Sequence, residues 1–598
     1  MFFTACLGNA EELEQWRRAA SDHARWLGLS FDLETRKLPD GGHLGLGWFV
    51  HRRQGGEERF VEAKGEILAS TCGNAGITLR ASLRESELAC VVPLATPQHM
   101  YYARIGSGWV FADDLRFIAG LVDARLDPRA IYLLLQYGAV PPGLALYTGV
   151  GRVPNGHTLV VRLASATPRC IPLPTPDRTS GGGGALYRHA DDAERAVAEQ
   201  LDAILEPLPW NSVLYFSGGV DSGLLAARLA QCGRQDVRLI SFAFDTADDE
   251  HRLAVRMASH LGFTCERVSY EPRQAVDVLE RAGRDYSFPF GDISTIPTNL
   301  LVHASLPSAG AAATVIEGTG ADGAFGLGAL YEKWHRAYRI PQALRRQVGK
   351  LYDALGLWRA DSRVERLARF VRKSAELPLP HSVLAQNALQ GIAYDAPAAS
   401  RADLAATGTR YLEALATGAT AADRLTLFDL MWVCAGRMAP KSFDPLRSRG
   451  IRPVYPFLDP GMVSLSTQLS WDVKCPENVP KGMLKRMLAR DVPADMVYRR
   501  KMGFTRAASA RAVFRSPPVQ EFLQDVVLSA HNPLREFCRM GVVRDLIERA
   551  RHDGLSVGAH SFLWTVAFVT AWLGSRDQDR GDAVPLPEST ASLAGHTL

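Results

Sequence analysis

The stretch LYFSGGVDSGLLAARLA, Leu214 to Ala230, restricts the fold of this chain more than any other. A short apolar run breaks into Ser-Gly-Gly and restarts at once with helical spacing, the pattern of a buried strand running through a tight turn into a helix. Such a turn exposes the backbone N–H groups of a helix N-terminus, an arrangement that cradles a phosphate. Gly218 and Gly219 let the backbone close on a ligand and adopt positive φ, while Ser217 and Ser222 bring hydroxyl donors. Asp221 can hold a divalent cation that bridges phosphate oxygens. The turn has neither the lysine of a Walker loop nor the GxGxxG spacing of a dinucleotide site.

A second stretch repeats the design. VIEGTGADGAFG, Val315 to Gly326, is again an apolar strand running into glycines, Gly318 among them, with Thr319 and one carboxylate, Asp322. Two such turns on neighbouring parallel strands would put Asp221 and Asp322 on one magnesium ion. The competing reading of Asp322 is a helix N-cap.

The surroundings fit. SVLYFS is followed by a helix through Gln231, VRLISFAFD by a helix from Asp248 to Leu261, and AATVIEG by the second turn. Alternating strands and helices predict an α/β domain with a doubly wound parallel sheet, whose ligands sit at the carboxyl ends of the strands. Up to about Arg169 the text is instead mainly β, with helical spacing over Ala10–Leu27 and Pro128–Tyr137, which predicts an α+β domain. IPLPTPDRTSGGGGALY separates the two and reads as a linker. The expected organisation is residues 1–171, a linker at 172–185, an α/β domain with added helices over 186–576, and a disordered polar tail at 577–598.

Composition closes several other routes. Of 598 residues 47% are hydrophobic and 22% charged, an ordinary globular balance, and a net charge of +4 points neither to nucleic acid nor to a membrane surface. The nine cysteines are scattered, with no CxxC pair and no metal-ligand spacing, and are expected as reduced, mostly buried thiols. The first residues do not resemble a secretory signal, so the expected compartment is the cytoplasm. Phe562 to Leu573 is strongly apolar but shorter than the ~20 residues of a membrane span, and a buried core helix is expected there. From Trp334 to Ala422 the text becomes helical, and residues 336 to 373 hold eleven Lys or Arg against three Asp or Glu. That bias fits a solvated helical face better than a surface for an acidic peptide.

With both turns in view, SGGxDS after an apolar strand resembles the ATP-pyrophosphatase loop, and the second domain resembles the asparagine synthetase superfamily. ISFAFDTADDEHRLAVRMASHLG resembles the family's second strand and helix, which border the adenine site and here include Phe242. VYPFLDPGMV resembles its R-V-P-F-L-D segment, with Val454 in place of the arginine. PKGMLKRMLARDVPADMVYRRKMGF resembles the segment in which a lysine precedes a short helix. The resemblance implies ATP and Mg2+ as cofactors, with Ser217, Gly218, Gly219, Asp221, Ser222, Phe242, Gly318 and Thr319 around the nucleotide and Asp221 and Asp322 on the metal. It gives Lys481 the task of neutralising charge on the reacting oxygens, beside Asp221 and Asp322.

The first domain resembles the family's class II glutaminase, an N-terminal-nucleophile type of sandwich that works through a cysteine at residue 2. Here that residue is Phe2, and Cys6 has no free amine, so no glutamine hydrolysis is expected. Members without the cysteine include β-lactam and carbapenam synthetases and the cyclases of lasso peptides. Asparagine synthetases read G-E-G-A/S-D-E at the second turn, and β-lactam synthetase has a tyrosine at the first glutamate. This chain has Thr319 and Gly323 at the two glutamates, so the turn names no general base. The resemblance implies a lasso peptide macrolactam synthetase that adenylates an Asp or Glu side chain of a core peptide and joins it to the peptide's N-terminal amine. Its partners would be the precursor peptide, a leader peptidase and a leader-binding protein, with no nucleic acid. The alternatives are a small-molecule amide or β-lactam synthetase and a non-catalytic scaffold with a vestigial ATP site.

Overall fold

The computed structural model describes residues 2–50, 60–63, 66–70, 76–174, 187, 189–243, 249–309, 314–327, 334, 337–359, 362–376, 389, 391–395, 410–415, 421–499, 507–552 and 555–577. Most of the expected linker and the expected tail lie outside these residues.

Two six-stranded antiparallel sheets form the N-terminal part. Strand Phe2–Gly8 lies inside the first, between His43–Val50 and Gly108–Ala112. Its residues alternate between two cores, as a strand buried on both faces requires. Phe3, Ala5 and Leu7 meet Ile67, Leu79, Leu88 and Leu159 of the second sheet. Phe2 and Cys6 face the other way, toward a layer of helices. Helix Ala10–Leu27 opens that layer with a capping box between Asn9 and Glu12 and closes at Gly28 in the left-handed region.

The C-terminal part is built on a five-stranded parallel sheet ordered Cys265–Ser269, Arg238–Ala243, Val213–Tyr215, Thr314–Ile316, Arg452–Val454. Counted along the chain this is the order 3-2-1-4-5. The strand order therefore reverses between Val213–Tyr215 and Thr314–Ile316, the two strands that carry the glycine turns. A ligand crevice in such sheets opens at that reversal, outside the carboxyl ends of the strands. Helix Val557–Asp577 runs through the core with Phe562, Trp564, Phe568 and Trp572 fully buried, as expected for its apolar run. Five of the eight described cysteines are buried and all eight are free.

The two parts share one hydrophobic core, in which Phe2, Tyr132 and Tyr137 pack with Trp432 and Trp564. A buried ion network crosses the same junction. Arg447 lies 2.8 Å from Asp113 and 3.7 Å from Asp444, and its guanidinium sits 4.2 Å over the Phe2 ring. Asp113 in turn accepts from the Phe3 N–H at 2.8 Å and from Gln98 at 2.6 Å. Removing the cation would strand two buried carboxylates. Arg447→Ala is therefore expected to cost about 3–5 kcal/mol in urea unfolding, with Asp113→Asn/Arg447→Ala recovering part of the loss. An unchanged midpoint would show that the junction does not depend on this network.

Candidate active site

The first turn follows a strand that is buried throughout. Gly218 has φ +64°, and a Cβ there would lie 2.8 Å from the Ala254 Cα, so both backbone conformation and space demand glycine. Gly219 caps helix Val220–Gln231. The two serines brace the turn: their hydroxyls are 3.1 Å apart, Ser222 Oγ accepts from the Ser217 N–H, and Ser217 Oγ accepts from the Gly219 N–H. Arg499 donates to the Gly218 carbonyl. The first-turn N–H groups of the helix have no acceptor within the helix itself and point toward the sheet's carboxyl edge.

The second turn is pressed against the first. A Cβ at Gly318 would meet the Asp221 Cβ at 3.1 Å, and Gly320 caps helix Ala321–Phe325 at φ +107°. Asp322 is therefore in the first helical turn and is not the N-cap residue.

Lys481 joins the two. Its Nζ lies 2.7 Å from both Asp221 oxygens and 2.7 Å from Asp322 Oδ1. The ammonium is nearly buried, whereas the Asp322 side chain is 63% exposed. Burial disfavours the charge on Lys481, but Asp221 and Asp322 outweigh it and raise the lysine pKa. The backbone at Lys481 is left-handed, φ 55°, and so are Glu477 and Asn478 just before it. These are three of the six non-glycine residues with positive φ among those described, gathered within five positions. Such conformations persist only where surrounding contacts impose them. Here Cys475 donates to the Phe325 carbonyl, and a Cβ at Gly326 would come within 3.2 Å of the Lys481 side chain.

Two carboxylates converging on one cation suit magnesium, which is commonly held by one or two carboxylates and completed by substrate phosphates and water. No cluster of three or more His, Cys, Asp or Glu suited to a metal occurs among the described residues. An ion here would therefore arrive with its phosphates.

Two further expected residues, Thr319 and Phe242, lie in the second turn and near the carboxyl end of strand Arg238–Ala243, respectively. Thr319 donates to Glu317 at 2.5 Å. Phe242 packs against Tyr270, ring centroids 5.2 Å apart, in a core cluster on one face of the sheet.

Sequence reasoning missed a polar wall behind the second turn. Glu317 also accepts from Ser442, which is 2.8 Å from the Tyr455 hydroxyl. Lys441 reaches Ser294 at 2.6 Å and Asp292 at 3.6 Å. Asp429 opens a π-helical stretch, Asp429–Met438, and its Oδ2 lies 2.4 Å from where a Cβ on Gly323 would stand. The missing side chain of Gly323 is thus the space that the Asp429 carboxylate uses. Burial pushes the Asp429 pKa up to about 7, with Arg437 opposing and Asp322 adding to the rise. Glu317 was in plain view in VIEGTGAD, but nothing in the sequence pairs residue 429 with residue 323.

Residue 2, where the glutaminase resemblance would expect a cysteine, lies in the core. Phe2 is 1% exposed beneath Arg447, and Cys6 is fully buried with its thiol pushed far from ionisation by burial.

A family model described as asparagine synthase matches residues 194–574. Candidate glutamine-hydrolysing asparagine synthetases of Mycobacterium bovis and of two strains of Mycobacterium tuberculosis are each 24% identical to this chain over 442 residues. The match covers 70% of this chain and 64% of those relatives, so it spans less than two thirds of their length.

Gly323→Glu, which writes the asparagine synthetase residue into the turn, is expected to clash with Asp429 and destabilise by about 1–3 kcal/mol. Gly323→Glu/Asp429→Ala should recover most of that in a double-mutant cycle. Asp429 also predicts a pH effect. Its folded pKa lies above the unfolded value near 3.9, so the folded state binds the extra proton and stability falls as pH rises from about 4 to about 7. Asp429→Asn should flatten that part of the profile.

Proposed function

The chain belongs to the asparagine synthase family, and we propose that it is an ATP-dependent amide-forming ligase that closes a macrolactam ring in a peptide, as lasso peptide cyclases do. The observation that carries this reading is the Lys481 ammonium between Asp221 and Asp322, at the reversal of the parallel sheet.

The Ser217–Ser222 turn would hold the pyrophosphate part of ATP on its backbone N–H groups, with Gly218 and Gly219 allowing the close approach. Magnesium held by Asp221 and Asp322 would supply positive charge to the phosphate oxygens. An Asp or Glu side chain of the peptide attacks the α-phosphorus and pyrophosphate leaves. The peptide's N-terminal amine then attacks the acyl carbon, AMP departs with the carboxyl oxygen, and the amine's proton passes to a base. Lys481 stands where a fixed ammonium would stabilise charge on the acyl and phosphoryl oxygens. Glu317 and Asp429 are the carboxylates beside the second turn to test as that base.

Three features support an amine donor other than ammonia from glutamine, and a peptide substrate. Phe2 stands where the glutaminase resemblance would expect a cysteine. Thr319 and Gly323 replace the two glutamates of the asparagine synthetase turn. The added helical segment leads into helix Ala421–Phe428 and the π-helical stretch, both of which pack on the Ala321–Phe325 turn. The substrate would reach the enzyme from a leader peptidase and a leader-binding protein.

The test is turnover of Mg-ATP by the purified protein with leaderless core peptides. AMP and pyrophosphate should form only with peptide, the peptide should lose the mass of one water, and glutamine should give no glutamate. Lys481→Met should lower the rate by at least about 100-fold. AMP formed only with small β-amino acids, or ADP as the product, would overturn the reading.

A further inference from the structure

The helical pair Gln342–Ala354 and Arg363–Glu376 is packed with its polar side inward. Arg345, Glu365 and Arg372 are buried, Arg345 donating to the Ile340 and Ser374 carbonyls and Arg372 pairing with Asp353 at 2.8 Å. Leu344, Leu351, Leu355, Val364 and Leu367 point to solvent instead, each 55–66% exposed. They are five of the twelve large hydrophobic residues exposed among those described. An amphipathic helix normally turns its apolar stripe to the core, so this pair presents to solvent the side that a partner ordinarily covers. The charged residues Arg346, Lys350, Arg363 and Arg366 are solvated as expected, and these apolar residues share the exposed surface of the pair with them.

The stripe has a register. On the first helix Leu344, Val348, Leu351 and Leu355 are spaced four, three and four apart, and on the second Val364, Leu367 and Val371 are spaced three and four. That is the a/d spacing of a coiled-coil seam, which accepts a further helix by knobs-into-holes packing. Arg346, Lys350, Arg363 and Arg366 are exposed on the same pair, and its exposed Asp353 is already paired with Arg372. A second copy of this chain would bring the same positive charge. A lipid surface is disfavoured by the aromatics, since interfacial helices set Trp and Phe into the bilayer boundary. Here Tyr352, Trp358 and Trp334 are all buried inward, with Trp334 against Phe370 at 4.1 Å.

We propose that the exposed Leu/Val seam of this helical pair docks an acidic amphipathic helix of a partner protein. The partner's apolar stripe would cover Leu344, Leu351, Leu355, Val364 and Leu367, and its carboxylates would face the exposed arginines and lysine.

The probe is a fluorescein-labelled synthetic helix of about three heptads with Leu at a and d and Glu elsewhere on the solvent side, titrated with the full-length protein by fluorescence anisotropy. Binding should be micromolar and weaken with salt. It should fall by about tenfold or more, ~1.4 kcal/mol, when Lys replaces Glu in the probe or in Leu351→Asp/Leu367→Asp. Leu351→Gln/Leu367→Gln, a milder pair at the same exposed positions, should also weaken binding while leaving the thermal midpoint unchanged. No binding of the Glu helix, or binding indifferent to these substitutions, would overturn the proposal. So would pelleting of the protein with phosphatidylserine vesicles through these leucines, or a dimer in sedimentation that the Asp pair dissolves.

Discussion

The Lys481 ammonium, held at 2.7 Å by carboxylates from two helices that follow adjacent strands, is the contact on which the site depends. Asp221, Asp322 and Lys481 are separated by about a hundred residues or more at each step, and only the 3-2-1-4-5 strand order brings the first two to adjacent turns. A nearly buried lysine costs several kcal/mol unless it is paired. The residue so paired has a left-handed backbone and caps helix Gly482–Leu488, which it ties to the sheet's carboxyl edge. Fold and site are therefore one constraint here. Gly318 lets the second turn approach the first closely enough for a single cation to reach both carboxylates.

The departures from the asparagine synthetase pattern share a physical feature. Phe2 lies under Arg447, Thr319 is bonded to Glu317, and the space left at Gly323 is used by Asp429. None is a bare deletion. Each missing group has been replaced by a local packing or polar contact, which argues for a remodelled site and against one that has merely decayed. The Arg447 network does the same at the junction of the two parts, where it binds the first strand of the chain to the helix bearing Asp444.

What could be read in advance follows from the range of the interactions. Both glycine turns, their strands and the parallel sheet were legible, because strand, turn and helix are specified within about fifteen residues and the glycines mark the bends. The joint placement of Asp221 and Asp322 was legible because both motifs end strands of the same kind. Asp429 was not: it meets Gly323 across more than a hundred residues, from a π-helical stretch whose register no 3.6-residue pattern reveals. Phe242 stands near the carboxyl end of the strand that the pattern located, and its packing against Tyr270 there was not legible. The seam at Leu344, Val348, Leu351 and Leu355 was present as spacing, but composition drew attention to the arginines. A helical apolar stripe is by default assigned to the core, and only the fold reveals that this one faces out.

A crystal structure with magnesium and a non-hydrolysable ATP analogue tests the central claim most directly. The account predicts the pyrophosphate on the Ser217–Ser222 turn and the metal about 2.1 Å from carboxylate oxygens of Asp221 and Asp322, with Lys481 Nζ shifted from between them toward the nucleotide. A nucleotide bound elsewhere, or a Lys481 ammonium still bridging both carboxylates with no metal beside them, would contradict it.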